Sequence, residues 1–362
     1  MPYKEAEMKI TVVISVYNAQ DTIFLCLESL AQQEVMPYEV ICVNNNSSDK
    51  SLEIIKQCIE KFRYLTIKVI NEHKIGPAAA RNKGIGIARG ELIAFMDADC
   101  LAKKDWVKNI YIVFKNDPLL DGVGGVEGGL FSGQLSVIGK FLSAFWLAPS
   151  GQLRRSIISD KMAWLRNNYI ATFNCVYTKQ FLTENKSFDE SFYPTGEDFD
   201  LWMRALDRKA KIVSWESSLV VLHLQSISLR KMLRKSFIYG DALSHLAKKH
   251  FSKRFIIQIP GWKQYNFNFP LGPIVISRSF VKVFLLFSIV ILSSLISLFA
   301  TFAFLILLSI FYFLKIRKFI DQRGYKISFF ENIYLVFVFF SKELVEVVGH
   351  IVGALKYRVF CI

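Results

Sequence analysis

The residues best equipped for chemistry are acidic, and they fall in two places. Asp97-Ala-Asp99 ends the apolar run Leu92-Ile-Ala-Phe-Met96, and Gly196-Glu-Asp198 opens an acidic segment that continues to Asp200. Two carboxylates with one residue between them offer hard oxygen ligands. Such ligands suit Mg2+ or Mn2+, ions that take few protein carboxylates and complete their shells with water or phosphate oxygens. Two aspartates at this spacing occur by chance on the order of once in a chain this long, so the meaning lies in their position at the end of a strand. The plain alternative is a pair of N-cap residues for a helix beginning near Lys104. For the second pair it is an acidic helix start favoured by the macrodipole, leading into the helical pattern of residues 199–209.

The elements that must position these groups alternate. Ile10–Val16 reads as a buried strand, Asp21–Gln33 as its crossover helix with Asp21 a candidate N-cap, and Glu39–Val43 as a second strand. Ser48–Lys61 is a helix, Thr66–Ile70 a strand, Pro77–Arg89 a helix and Leu92–Met96 a fourth strand. This is an α/β pattern, half of a doubly wound fold with a mostly parallel sheet flanked by helices, and such sheets bind ligands at the carboxyl ends of their strands. Polar residues follow three of those ends: Tyr17 and Asn18, then Asn44, Asn45, Asn46 and Asp49, then Asp97 and Asp99. Each of the asparagines and aspartates also suits an ordinary turn.

Composition narrows the class. The chain of 362 residues carries a formal charge of +14, yet no zinc-finger spacing, aromatic RNA-binding signature or basic heptad accompanies it, which argues against nucleic acid. Arg230, Lys231, Arg234, Lys235, Lys248, Lys249, Lys253 and Arg254 form a basic stretch suited either to anionic headgroups or to a solvated helix face. The six cysteines show no CxxC pair, so neither a zinc cage nor a disulfide framework is indicated. The N-terminal apolar run is too short and too soon interrupted by Asn18 for a signal peptide, which places residues 1–270 in the cytosol.

Residues 283–314 carry no charge. Basic residues on both sides of this run favour a hairpin of two spans at about 280–314 over one tilted span. A further apolar segment at about 333–355 contains Lys342, Glu343 and Glu346 and reads as an interfacial helix or a third span, with Gly349 and Gly353 able to pack helices closely. The expected organisation is a catalytic domain at 1–240, a basic connection at 241–272 and a membrane region at 273–362. That makes a multi-pass protein of the plasma (inner) membrane, with membrane lipids as partners and the catalytic domain in the cytoplasm.

Five segments together resemble the family 2 glycosyltransferases with a GT-A fold, over roughly residues 10–240. They are Val13-Ile-Ser-Val-Tyr-Asn18, Val43-Asn-Asn-Asn-Ser-Ser-Asp49, Gly76-Pro-Ala-Ala-Ala-Arg-Asn-Lys-Gly84, Phe95-Met-Asp-Ala-Asp99 and Gly196-Glu-Asp198. The resemblance implies an inverting, metal-dependent transfer of sugar from a nucleotide-diphosphate donor to an acceptor hydroxyl. It gives Asp99 as ligand to Mg2+ or Mn2+, and Asp97 as a contact to nucleotide or metal. Asp198 becomes the base that takes the acceptor proton, with Glu197 orienting it or binding the acceptor. Ser15, Tyr17, Asn18, Asn44, Asp49, Gly76 and Arg81 would surround the donor, with Asn44 standing where the family usually has Asp. Asn174 in Thr172-Phe-Asn-Cys175 would line the sugar site, and His223, after the apolar strand Ser218–Leu222, is either a further metal ligand or a satisfied rim residue.

Processive members of the family carry an Arg-Trp pair after the acidic motif, and this chain has none, which favours addition of a single sugar. A lipid-linked glycan of cell-surface polysaccharide or glycolipid synthesis is the expected acceptor. A polyprenyl-phosphate glycosyltransferase and a non-catalytic scaffold on the same fold are the alternatives. A dinucleotide-dependent oxidoreductase would need a Gly-x-Gly-x-x-Gly turn after the first strand, and Val16-Tyr-Asn-Ala-Gln20 has no glycine.

Overall fold

The computed structural model describes residues 8–130, 137–138, 156–157, 170–224, 228–252, 254–257, 265–268, 274–276, 278–296, 298–321 and 326–361. These divide into two compact units, residues 1–132 with 148–225 and residues 133–147 with 226–362.

The first unit opens with β1 (Ile10–Val16), α1 (Ile23–Ala31), β2 (Glu39–Asn44), α2 (Ser51–Lys61), β3 (Ile67–Asn71), α3 (Pro77–Ile87) and β4 (Leu92–Met96). The strands lie in the order β3-β2-β1-β4, all parallel, with Val12 opposite both Val40 and Ala94. Every residue of β2 and β4 is buried, as expected where helices cover both faces of a parallel sheet. Ile10, Val12, Ile14 and Val16 pack with Ile23, Leu27 and Leu30 of α1 and with Trp106 and Ile110 in one continuous core.

The chain continues through β5 (Cys100–Ala102), α4 (Trp106–Asn116), β6 (Gly122–Leu130), β7 (Ser156–Ile157), β8 (Asn174–Thr178), α5 (Lys179–Glu184), α6 (Glu197–Asp207) and β9 (Ile212–His223). These strands extend the sheet beyond β4 in the order β8-β6-β9-β5, with β7 on β9. Here β8 runs antiparallel to both β4 and β6, and β5 antiparallel to β9. The sheet is thus mixed, parallel in its first half. Because β5 separates Asp99 from α4, and α4 starts at Trp106 with Asp105 as its N-cap, neither Asp97 nor Asp99 caps that helix. Asp21 does not cap α1 either, where Thr22 holds the N-cap position.

The second unit holds α7 (Leu229–His250), a small sheet of β10 (Arg254–Ile257), β11 (Tyr265–Asn268), β12 (Ile274–Ile276) and β13 (Phe360–Cys361), and the helices α8 (Arg278–Ile296), α9 (Leu298–Asp321) and α10 (Phe329–Tyr357). A capping box of Ser328 and Glu331 starts α10. The basic stretch becomes α7, which buries Met232, Leu243, Leu246 and Ala247 and leaves Arg230, Lys231, Arg234, Lys235, Lys248 and Lys249 exposed.

The membrane spans expected here are not found, and the assignment to a multi-pass protein of the plasma membrane does not hold. Among the described residues no helix is long and apolar enough to cross a membrane. The uncharged run is shared by two helices, residues 283–296 in α8 and 298–314 in α9, each short of the roughly 20 apolar residues a span requires. On α10 the charges are used within the unit. Lys282 Nζ donates to Glu343 Oε1 at 2.9 Å, Lys342 Nζ donates to Glu346 Oε2 at 2.9 Å, and His350 Nδ1 lies 3.0 Å from the Gly240 carbonyl oxygen.

Helices α7 and α10 pack almost backbone to backbone. A methyl group at Gly349 would overlap the carbonyl of Phe237, and one at Gly353 would meet Asp241 Cα and Ser244 Cβ at 2.9 Å. Gly349→Val should therefore destabilise the protein by about 1–3 kcal/mol. Gly86→Ala on α3, where a methyl group meets nothing within 4 Å, should stabilise it by roughly 0.5–1 kcal/mol. Urea unfolding of the two variants beside the parent checks both signs.

Candidate active site

Arg81 joins the two acidic pairs. It sits on α3, buried along with Ala78, Ala79 and Ala80. Its Nη2 donates to Asp97 Oδ1 at 3.1 Å and its Nη1 to Glu197 Oε1 at 2.6 Å. Arg81 and Glu197 are buried, whereas Asp97 is about a third exposed at 36%. A guanidinium taken out of water is costly unless it is paired. Burial alone would weaken its proton, but Glu197, Asp97 and Asp198 more than offset that and hold its pKa above the ordinary arginine value.

The acidic helix start presents the other half. Gly196 turns the chain into α6 at φ +106°, in the left-handed region that costs a side chain dearly, and so sets Glu197 and Asp198 in the first turn. Burial, reinforced by Asp198 and opposed by Arg81, pushes the Glu197 carboxyl up to about 7. Its Oε2 is buried and has no hydrogen-bond partner among the described residues. Burial also raises Asp198, against the pull of Arg81 and of the backbone N–H groups of Phe199 and Thr172. The Phe199 N–H donates to Asp198 Oδ1 at 2.8 Å. Further along the helix, Asp200 accepts from Arg204 Nε at 2.8 Å, and Arg204 donates to the carbonyls of Asn185 and Ser187, which fixes α6 to the loop after α5.

Asp99 faces a different partner. Its carbonyl accepts from the Leu224 N–H at 2.7 Å, which pins the strand end beside the end of β9 and brings His223 Nε2 to 3.8 Å from Asp99 Oδ1. That separation is too long for a hydrogen bond but suits two ligands of one ion, each about 2.0–2.2 Å from it. The donor set of one carboxylate oxygen and one imidazole nitrogen fits a divalent cation, Mn2+ better than Mg2+ because nitrogen is the softer donor. Three carboxylates, Asp97, Glu197 and Asp198, act on the Arg81 guanidinium, while Asp99 stands beside His223.

The residues expected around the donor divide into those that knit the rim and those left open. Asn18, with φ +48°, donates its N–H to Ser47 Oγ at 3.1 Å and accepts at Oδ1 from the Ser48 N–H at 2.9 Å, tying the loop after β1 to the loop after β2. Asp49 accepts from Ser51 at Oδ1 and from the Gln20 N–H at Oδ2, so both oxygens are engaged by the protein. Asn44 is buried, donates to Asn71 Oδ1 at 2.9 Å and accepts from the Ser47 N–H at 3.2 Å. Gly76 donates its N–H to Asn45 Oδ1 at 2.8 Å. Ser15 is half-buried opposite Val43, and Tyr17 stands open with 66% of its surface exposed.

Asn174 is not at an open sugar site. It is 1% exposed, accepts from Trp106 Nε1 at 2.9 Å and donates to the carbonyls of Val126 and Leu219 at 3.0 and 2.9 Å. Its amide is fully used in clamping β8, β6 and β9 together. Asn82 has a role that its sequence position did not reveal. It donates to the Phe188 carbonyl and to Glu190 at 2.9 Å, holding the loop that leads into the acidic helix. Partners more than a hundred residues away leave no local signal.

Comparison with known proteins bears on this arrangement. The family described as Glycosyl transferase family 2 matches residues 11–155. A Methanococcus voltae protein named dolichyl N-acetyl-alpha-D-glucosaminyl phosphate 3-beta-D-2,3-diacetamido-2,3-dideoxy-beta-D-glucuronosyltransferase is 23% identical over 291 residues, 76% of this chain and 84% of that protein. The amylovoran biosynthesis glycosyltransferase AmsB of Erwinia amylovora is 28% identical over 291 residues, 77% of this chain and 91% of that protein. Among solved structures, the mannosyltransferase PcManGT from Pyrobaculum calidifontis, in complex with GDP-Man and Mn2+, superposes with a TM-score of 0.50 at 17% identity. The match spans 69% of this chain and 64% of that one, and it supports the fold. With the strand-end carboxylates, the acidic helix start and the sheet order in place, residues 11–155 match glycosyltransferase family 2, and the chain is a nucleotide-sugar-dependent glycosyltransferase with a GT-A-like mixed sheet.

Proposed function

We propose that the protein transfers a single sugar, with inversion and with the help of a divalent cation, from a nucleotide-diphosphate sugar to a hydroxyl of a lipid-linked glycan. The observation that carries this reading is the Arg81 bridge, which holds the donor-side carboxylate Asp97 and the acceptor-side carboxylate Glu197 on one guanidinium. Asp99 and His223 would hold Mn2+ or Mg2+. A bound divalent cation supplies positive charge to the departing diphosphate. Tyr17, at the open end of β1, offers a face for the nucleobase.

Asp198 is the proposed base. It lies half-buried at the first turn of α6, in an environment that raises its proton affinity toward the range useful for taking a proton from a hydroxyl near neutral pH. Glu197, anchored by Arg81, positions it. Single addition rests on the absence of an Arg-Trp pair. The lipid-linked acceptor is supported by the name of the Methanococcus voltae relative, a transferase acting on a dolichyl-phosphate-linked sugar, and by a second relative in polysaccharide biosynthesis.

Asp198→Asn should lower kcat by about 10²–10⁴-fold while leaving the donor KM nearly unchanged. Asp99→Ala should raise the Mn2+ concentration needed for half-maximal rate at least about tenfold. Turnover unaffected in both variants would defeat the assignment. The pH profile provides a second check. Only an ionised base can take a proton, and with burial raising Asp198 and pushing Glu197 up to about 7, kcat/KM should fall as the pH drops below 7 and hold above it. An acid limb near pH 4 would show that burial does not govern the pair. For the acceptor, the rate on a lipid-linked sugar should exceed that on the same sugar free in solution, and equal rates would remove the lipid from the proposal.

A further inference from the structure

The cation site described above has a third candidate donor in the residue next to Asp99. Strands β5 and β9 are antiparallel, with Cys100 directly opposite His223. Residues opposite one another in such a pair project from the same face, with Cβ atoms about 4.5–5.5 Å apart. The ring of Phe173 lies 4.9 Å from the imidazole and backs it from one side. Cys100 Sγ is 3.9 Å from Asp99 Oδ1, and one ligand atom each from Asp99, Cys100 and His223 all lie within 4.8 Å of one another. Atoms bound to a common ion at about 2.0–2.3 Å are separated by no more than this. Cys26, Cys42, Cys58 and Cys175 are buried as well, and none of them belongs to this cluster.

The geometry points to Cys100 as a metal ligand, so that the site binds its divalent cation through one carboxylate oxygen, one imidazole nitrogen and one thiolate sulfur. This rests on the cation-dependent reading of the site and goes beyond it by setting which ions are preferred. Thiolate is a soft donor that favours Zn2+ and Co2+ and has little affinity for Mg2+. On binding, the S–H bond breaks, its proton passes to solvent, and the sulfur lone pair forms the bond to the metal. No electron is transferred.

Cobalt substitution of the full-length protein under anaerobic conditions tests the assignment. The wild type should develop an intense near-ultraviolet thiolate-to-cobalt charge-transfer absorption that saturates at one equivalent. Cys100→Ser should lose it, with Co2+ and Zn2+ bound at least about tenfold more weakly and Mg2+ bound as before. Because Cys100 is fully buried and its variant could fold poorly, X-ray absorption of the Zn2+-loaded wild type gives an independent reading, with one sulfur expected at about 2.3 Å. Cobalt bound with weak visible bands alone, or a zinc shell of oxygen and nitrogen only, overturns the sulfur ligand and leaves the cation reading standing. No binding of Co2+, Mn2+ or Mg2+ overturns both.

Discussion

One buried guanidinium organises the catalytic unit. Arg81 leaves water for a pocket in which it is held by Asp97 and Glu197, and the electrostatic pull of Asp198 reaches it as well. A charge so placed is tolerable only while its partners stay. The converse also holds, because carboxylates from a strand end and a helix start repel one another unless a cation stands between them or one of them takes a proton. The arginine sits on α3, Asp97 follows β4 and Glu197 opens α6, so three elements are locked in register by two ion pairs. The end of β4 is thereby tied to the start of α6.

The supports around this centre are of the same kind, each a polar side chain that spends its hydrogen bonds on distant backbone. Asn174 fastens three strands beneath the rim, Asn82 fixes the loop before α6, and Arg204 secures the helix from its far side. Buried amides and guanidinium groups that are fully satisfied define one geometry and penalise alternatives. They leave Glu197 Oε2 buried without a hydrogen-bond partner among the described residues, and the Tyr17 ring exposed.

The parallel half of the fold was legible because its strands are buried on both faces and read as uninterrupted β-branched runs, as in Ile10–Val16 and Leu92–Met96. The position of Asp97 and Asp99 followed from the end of β4. What could not be read was pairing across the chain. Arg81 looked like a donor contact because nothing near it shows that Glu197, 116 residues on, will take its Nη1. Asn174 looked like a sugar contact because its own segment does not reveal Trp106, Val126 and Leu219 closing around it. The apolar run of residues 283–314 does divide between two helices, as the hairpin reading expected, but neither is long and apolar enough to cross a membrane.

Asn44 shows how a departure from the family pattern can be absorbed. An aspartate at the end of β2 would present acceptors only, whereas the amide of Asn44 donates to Asn71 Oδ1 and accepts from the Ser47 N–H. A carboxylate there could not donate, and Asn71 would have to turn its amide nitrogen inward to meet it. With asparagine at 44 the amide of Asn71 is oriented by its oxygen, which leaves its N–H groups facing away from Asn44. The hydrogen-bonding character of this rim is set by the pair of side chains and not by position 44 alone.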